Sequence, residues 1–468
     1  MHGAKDRPDN ARPGQPDGDG QRKRADRRAA APVRPGRAPS SVVNVSGNSH
    51  IAGNKEISMD NKSVVVLGAG HAGVHAAARL AESGRFDRIT LVDAQSGVPY
   101  ERPPLSKEAL KAAAGSIPKP LRRPDYFAAK GIDLVTGAPA VQVDRSHPAV
   151  ILAGGTRIPY DTLILATGCR GRPMAVPGVQ LPGVFSLRTA ADSAELTPHL
   201  VRGNRLVIIG AGYIGMEVAA AATERGVDVV VLESQDRVMK RVTSEPVSKF
   251  FQQLHESKGT TFHLGTSVTE FTGLGRVDGV RTSDGQWLPA DLAVVGIGVV
   301  PNDSLAREAG IDCSDGILVD QHCRTSDPNI YAIGDVTRFS SSESEVIRLE
   351  CVQNALHQAE KATRNILGHN MPESEVPWFW TVQHGIRLQS AGLRRESDET
   401  VFRGDPRSGR HSVLYLRKGR LAAIDSIGSL ADFTSAKKLI GARTALDTTT
   451  AADPHQKLSA AQLSPADR

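Results

Sequence analysis

Val64-Val65-Val66-Leu67-Gly68-Ala69-Gly70-His71-Ala72-Gly73 is the stretch that decides the fold, and the chain carries it twice. The second copy is Leu206-Val207-Ile208-Ile209-Gly210-Ala211-Gly212-Tyr213-Ile214-Gly215. Each is a short apolar run, then a G-x-G-x-x-G turn, then an alanine-rich stretch of helical character. Each is followed by an acid at the tip of a second apolar run: Asp93, 20 residues after Gly73, and Glu233, 18 residues after Gly215. Strand, glycine turn, helix, strand and terminal acid together make the βαβ unit that binds a dinucleotide. Gly68 and Gly210 are expected to permit the tight turn. Gly70 and Gly212 let the backbone approach a pyrophosphate, and Gly73 and Gly215 let helix and strand pack closely. The pyrophosphate then sits at a helix N-terminus, where free N–H groups and the helix dipole favour an anion. Asp93 and Glu233 would accept hydrogen bonds from ribose diols. Glu233 argues for NAD(H) over NADP(H), because a carboxylate repels a 2′-phosphate. Arg237, Lys240 and Arg241, just downstream, pull the other way. Two such units imply two dinucleotides placed so that electrons pass from one to the other.

Working outward, 468 residues allow two to four domains. The alternation of strand and helix signals predicts an α/β protein: two Rossmann-like dinucleotide units and a small α+β C-terminal domain. The formal net charge is +6, but residues 1–58 hold 11 Lys/Arg against 6 Asp/Glu. The remaining 46 basic and 45 acidic residues nearly cancel, so bulk charge gives nucleic-acid binding no support. The four cysteines, Cys169, Cys313, Cys323 and Cys351, form no CxxC and no close pair. That argues against a metal site or a disulfide and fits a reducing cytoplasm. No apolar run is long enough to span a membrane.

Residues 1–58 are rich in Arg, Pro, Gly, Asp and Ser and are expected to be a disordered leader, without the apolar core of a secretory signal. Met59, just before the first strand, is a plausible natural start. The first dinucleotide domain is read as 59–170 plus a returning segment, 300–372, and the second as 171–299. Alternating segments near 385–393 and 411–425, with a closing helix near 431–443, predict an antiparallel third domain over 373–446. Residues 447–468 read as a polar tail. Basic residues of the third domain, Arg394-Arg395, Arg417, Lys418, Arg420, Lys437-Lys438 and Arg443, could form a patch that steers an acidic partner.

Several segments now resemble one family. They are PYERPPLSK (99–107), LATG (165–168), IGAGYIGMEVAA (209–220), NIYAIGDV (329–336), CVQNA (351–355) and PWFW (377–380). Over residues 62–446 the chain resembles the FAD-dependent NADH:ferredoxin reductases that serve oxygenases, the putidaredoxin-reductase and rubredoxin-reductase type within the glutathione-reductase fold. The resemblance implies FAD in the first unit and NADH in the second. It implies that Gly68, Gly70, Ala72, Gly73 and Asp93 meet the FAD adenosine and pyrophosphate, and that Arg102 and Lys107 reach the flavin region. Val141 would offer backbone contact to the adenine. Ala166, Thr167 and Gly168 would line the site, Arg188 would reach it from the second domain, and Asp335 would bond the ribityl chain. Val352 would meet the flavin at a helix N-terminus, with Trp380 (or Trp378) beside the ring. Gly210, Gly212, Tyr213, Ile214, Gly215, Glu233 and Gly298 would hold NAD. Lys107 would pair with Glu217 next to the flavin and tune it.

From the residues alone, Lys107 is equally a solvated lysine, Glu217 an acid favoured near a helix start, and Asp335 a helix cap. The expected reaction is hydride transfer from NADH to FAD and single-electron delivery to a 2Fe–2S ferredoxin, or a rubredoxin. The protein would be a cytoplasmic monomer or weak homodimer. Two departures from the family pattern stand out: Val382 where an acid is frequent, and Cys351 where a small hydroxyl residue is. An NADH oxidase is disfavoured because residues 94–107 hold no cysteine. A flavin-bound redox sensor of the apoptosis-inducing-factor type is the alternative from another class.

Overall fold

The computed structural model describes residues 62–112, 118–340, 346–369 and 375–463. The expected leader, 1–58, and Met59 lie outside the described residues. Both glycine fingerprints sit between strand and helix. Ser63–Leu67 leads through the first into the helix His71–Ser83, and Arg205–Ile209 through the second into Tyr213–Glu224. Their valines, leucines and isoleucines are buried on both faces, as a central parallel strand requires.

Each fingerprint strand lies at the centre of a five-stranded parallel sheet. The first sheet runs Ile330–Ala332, Thr162–Leu165, Ser63–Leu67, Arg88–Asp93, Ile132–Thr136. The second runs Val184–Ser186, Leu292–Val295, Arg205–Ile209, Asp228–Glu233, Thr261–Leu264. The duplication extends beyond the βαβ units. Before the strand that pairs with the fingerprint strand on its far side, Thr162–Leu165 or Leu292–Val295, each domain inserts a three-stranded antiparallel meander, at Ala140–Asp144, Ala149–Leu152 and Arg157–Pro159 in the first. In the second it is Val268–Thr272, Gly279–Thr282 and Trp287–Pro289. The edge strand Ile330–Ala332 comes from the chain that returns after the second domain, so the first domain is closed by late sequence.

The third domain is a five-stranded antiparallel sheet in the order Trp378–Gln383, Ile386–Gly392, Arg420–Ile427, Arg410–Arg417, Glu399–Asp405. The helix Leu430–Gly441 packs on it through Phe433, Ala436 and Leu439. The tail corrects the sequence reading. Residues through Leu463 fold back as a short helix, Thr448–Ala452, and a turn, Leu458–Ala461. Ala451, Leu458 and Ala461 join the domain core. Arg403, buried on its strand, pairs with Asp432 at 2.9 Å and donates to the carbonyls of Ala451, Asp453 and Gln456. A composition count misses this because three small apolar anchors and one buried guanidinium hold the segment, and its other side chains stay polar.

Candidate active site

The two turns are built alike. Gly68 and Gly210 have φ of 106° and 102°, in the left-handed region open to glycine. Their N–H groups donate to the carbonyls of Val92 and Leu232, each at 2.7 Å. A Cβ on Gly73 would lie 1.8 Å from the Gly68 carbonyl oxygen, and one on Gly215 2.1 Å from that of Gly210, so helix and strand touch only because both are glycine. Gly70 and Gly212 have nothing within 4 Å of a Cβ position, which leaves their backbone open to a ligand. Asp93 and Glu233 occupy matching places. Each accepts from the backbone N–H of the residue after the first glycine, Ala69 at 3.1 Å and Ala211 at 2.7 Å. The other oxygen accepts from Gln95 and Gln235, each at 2.9 Å. Acceptor capacity remains on both for a diol.

A cavity of about 630 Å³ opens over the first turn. Gly68, Gly70, Ala72 and Asp93 line it, while Gly73 lies beneath, sealed against Gly68. Three helix N-termini converge there: His71, Tyr213 and Val352 each open a helix and border the cavity. Their partial positive charges make it an anion site. Arg102 adds a full charge. Burial, and then the neighbouring Arg188 guanidinium, push its pKa down from the usual range. A buried cation, an open glycine turn and a helix start fit a pyrophosphate. Burial also lowers His71, so its ring stays neutral beside the turn.

Arg188 and Asp335 line the same cavity and are joined, Arg188 Nη2 to the Asp335 carboxylate at 3.1 Å. Arg188 Nε also donates to the Cys169 carbonyl at 2.9 Å. Asp335 follows the edge strand on a turn, Gly334–Val336. Ala166, Thr167 and Gly168 form the opposite wall. Thr167 is stitched to Asn302, its hydroxyl to the Asn302 carbonyl at 2.8 Å and the Asn302 amide back to the Thr167 carbonyl at 2.9 Å. Trp380 borders the cavity, whereas Trp378 packs edge-on against Phe433 in the third-domain core. Val141 is half exposed, next to Pro139 and Ala140, which line the cavity. The strand pairing shifts register between Ala140 and Gln142, so Val141 occupies a bulge.

Lys107 and Glu217 meet at 2.8 Å, both largely buried, and both line the cavity. Glu217 Oε2 also accepts from Ser106 Oγ at 2.5 Å, and Oε1 from Thr381 Oγ1 at 2.6 Å. Lys107 donates further to the Pro103 carbonyl at 3.0 Å. One carboxylate thus ties the first domain's loop, the second domain's helix and the third domain's first strand. Sequence reasoning missed Ser106, Thr381, Phe379 and Glu350, all at or next to this wall. None carries a local signal, because their place depends on three distant segments meeting. The two cysteines at the wall are protonated thiols, burial pushing Cys351 up to about 11 and Cys169 up to about 12.

The second turn is more open. Tyr213 and Ile214 reach the shared cavity, Tyr213 stacked on Phe379 with centroids 4.5 Å apart. Gly210, Gly212, Gly215, Glu233 and Gly298 lie outside that cavity, around their own turn. Of the cations that compete with Glu233, Arg237 is turned inward to the Thr243 carbonyl and Ser248 Oγ, and Lys240 pairs with Asp236 at 3.0 Å. Arg241 stands beside Gly298, 3.2 Å from where a Cβ there would be. Three of the eight basic residues expected to form a patch on the third domain make internal contacts. Arg417 is held by Asp398 at 2.8 Å, Arg394 lies over the Tyr415 ring, and Lys437 over Trp378.

The family model described as pyridine nucleotide-disulphide oxidoreductase matches residues 62–364, and that described as reductase C-terminal matches residues 378–462. Rhodocoxin reductase of Rhodococcus erythropolis is 42% identical over 393 residues, covering 84% of this chain and 92% of that protein. Putidaredoxin reductase of Pseudomonas putida is 39% identical over 387 residues, covering 81% and 92%. Among solved structures, a ferredoxin reductase from Rhodopseudomonas palustris superposes with a TM-score of 0.83 at 38% identity, covering 86% of this chain and all of that one. The reductase of a covalent putidaredoxin reductase–putidaredoxin complex gives 0.82 at 38% identity, covering 86% and 99%. With two such turns, one shared cavity and a third domain that closes it, the chain belongs to the pyridine nucleotide-disulphide oxidoreductase family and carries that family's reductase C-terminal domain.

Proposed function

We propose that the protein is an FAD-dependent NADH:ferredoxin reductase, taking hydride from NADH and passing single electrons to a 2Fe–2S ferredoxin that feeds an oxygenase. One observation carries the reading: a single cavity is walled by both fingerprint helices, through His71 and Ala72 on one side and Tyr213 and Ile214 on the other. When bound, the flavin supplies hydride acceptance and one-electron release. The chain supplies binding, orientation and charge. Gly68, Gly70, Ala72 and the His71 helix start hold the FAD pyrophosphate with Arg102, and Asp335, oriented by Arg188, takes the ribityl hydroxyls. Ala140 and the backbone of Val141 face the adenine side. Gly210, Gly212, Gly215 and Gly298 hold NADH, with Glu233 on the ribose diol and Arg237 and Lys240 turned away from a 2′-phosphate. Lys107 Nζ is fixed against Glu217 Oε2 and places a cation at the flavin edge. Residues 94–107 hold no cysteine, and burial raises the two thiols at the cavity, Cys169 and Cys351, so electrons are assigned to pass from the flavin straight to the acceptor.

The acceptor is a separate ferredoxin-type protein, as for the relatives whose names record one. No helix among the described residues is long and apolar enough to cross a membrane. We place the protein in the cytoplasm as a monomer or weak homodimer. Ferredoxin-dependent cytochrome c reduction tests the reading: flux with NADH that needs added 2Fe–2S ferredoxin supports it. Flux only with rubredoxin would move the assignment to a rubredoxin reductase, and a reduced flavin that passes electrons to neither would move it to a redox sensor.

A further inference from the structure

The strand Trp378–Gln383 brings Trp380 to the cavity and Thr381 to Glu217. Behind Thr381 runs a hydrogen-bonded series with no solvent access: Gln383 Nε2 to Thr381 Oγ1 at 3.3 Å, and His255 Nε2 to Gln383 Oε1 at 2.9 Å. Its direction follows from chemistry. A carboxylate paired with Lys107 only accepts, so the single Thr381 hydroxyl proton goes to Glu217. The Thr381 oxygen must then accept, which turns the Gln383 amide nitrogen toward it. The second N–H of that amide meets the Met239 sulfur at 3.8 Å. Gln383 Oε1 therefore faces His255, whose Nε2 must donate while Nδ1 is left without a hydrogen-bond partner in the buried interior. Burial, and then the neighbouring His384, bring His255 down to about 4, so the ring is neutral, as this tautomer needs. All three bonds point toward the carboxylate and reinforce one another.

We propose that Thr381, backed by Gln383 and His255, is a positioning residue of the reductase: it holds the Glu217 carboxylate in register with Lys107, and so holds the Lys107 charge at the flavin edge. The proposal rests on the reading of the cavity as the flavin site. It makes the third domain part of the redox machinery as well as its cover, because the strand that presents Trp380 also sets the ion pair.

The test is a double-mutant cycle on the flavin-loaded protein, with Thr381→Val, Thr381→Ser, Glu217→Gln and the Thr381→Val/Glu217→Gln pair. NADH reduction is followed by stopped flow and the flavin midpoint potential by dye equilibration. Thr381→Val is expected to slow flavin reduction about tenfold and to move the potential in the same direction as Glu217→Gln. Thr381→Ser returns both to within about twofold, and in the Glu217→Gln background Thr381→Val adds less than about twofold. An equal loss in both backgrounds, or a Thr381→Val protein within twofold of the parent in rate with an unmoved potential, overturns the proposal. If Thr381→Val does not retain flavin, Gln383→Leu replaces it, with about threefold slowing expected and the same cycle as criterion. A parent flavin that NADH does not reduce would instead overturn the reductase reading itself.

Discussion

The two fingerprints make the same turn from the same glycines and then leave it in different surroundings. At the first, Ala72 is 6% exposed, covered by Gly334 and Ala355 from the returning chain. At the second, the matching Ile214 is 36% exposed, although Phe379 of the third domain stacks on its neighbour Tyr213. The first turn faces a buried Arg102, the Arg188–Asp335 pair and the N-terminus of Val352–Ile366. The second has its acid, Glu233, and a nearby arginine, Arg241, whose surroundings stay open. The turn decides that a pyrophosphate binds, and the cover decides how long it stays. A retained cofactor suits the first site, and a coenzyme that must leave after each turnover suits the second.

That contrast can be broken at the third glycine. Gly73→Ala drives a Cβ into the Gly68 carbonyl and should cost about 3 kcal/mol or more, yielding protein without flavin, read as lost 450 nm absorbance and a lowered Tm. Gly215→Ala meets a similar obstacle at the open turn. It should keep its flavin yet raise the KM for NADH more than about tenfold; flavin loss from both variants alike would erase the distinction. Next in size, Arg102→Ala removes the charge at the covered site. It should weaken flavin retention roughly 10- to 100-fold, measured by flavin release on dilution, with the KM for NADH little changed. Glu233→Ala sharpens the other side. The ratio of kcat/KM for NADH over NADPH should fall about tenfold, with flavin content intact.

The smallest effect is expected at Cys351. Its thiol, pushed up to about 11 by burial, is protonated at neutral pH. Cys351→Ser should therefore change reduction by NADH less than about threefold, and alkylation of Cys351 should accelerate about tenfold per pH unit up to about pH 11. Rapid labelling at pH 7.5 would show a thiolate that this environment does not support.

The glycine turns, their acids and their strands were legible because each is set within about thirty residues by spacing and apolar patterning. The Lys107–Glu217 pair was visible only through resemblance, since it joins residues 110 apart in sequence. Ser106 and Thr381 were invisible for the same reason. The bulge at Val141 was not legible, because a register shift leaves no mark in the composition. The tail looked polar because Ala451 and Ala461 are weak signals until a buried Arg403 is found beneath them. That Asp398 and Tyr415 engage Arg417 and Arg394 of the third domain was not legible, because those contacts join separate strands.

The most direct test of the account is anaerobic stopped-flow mixing of the gel-filtered protein with NADH and, separately, with NADPH. The account predicts that one flavin per chain survives the column and that NADH bleaches it rapidly with saturation. NADPH should be at least tenfold less effective, by the charge argument at Glu233. Protein that leaves the column colourless, or flavin reduced equally well by both coenzymes, would contradict the division of labour between the two turns.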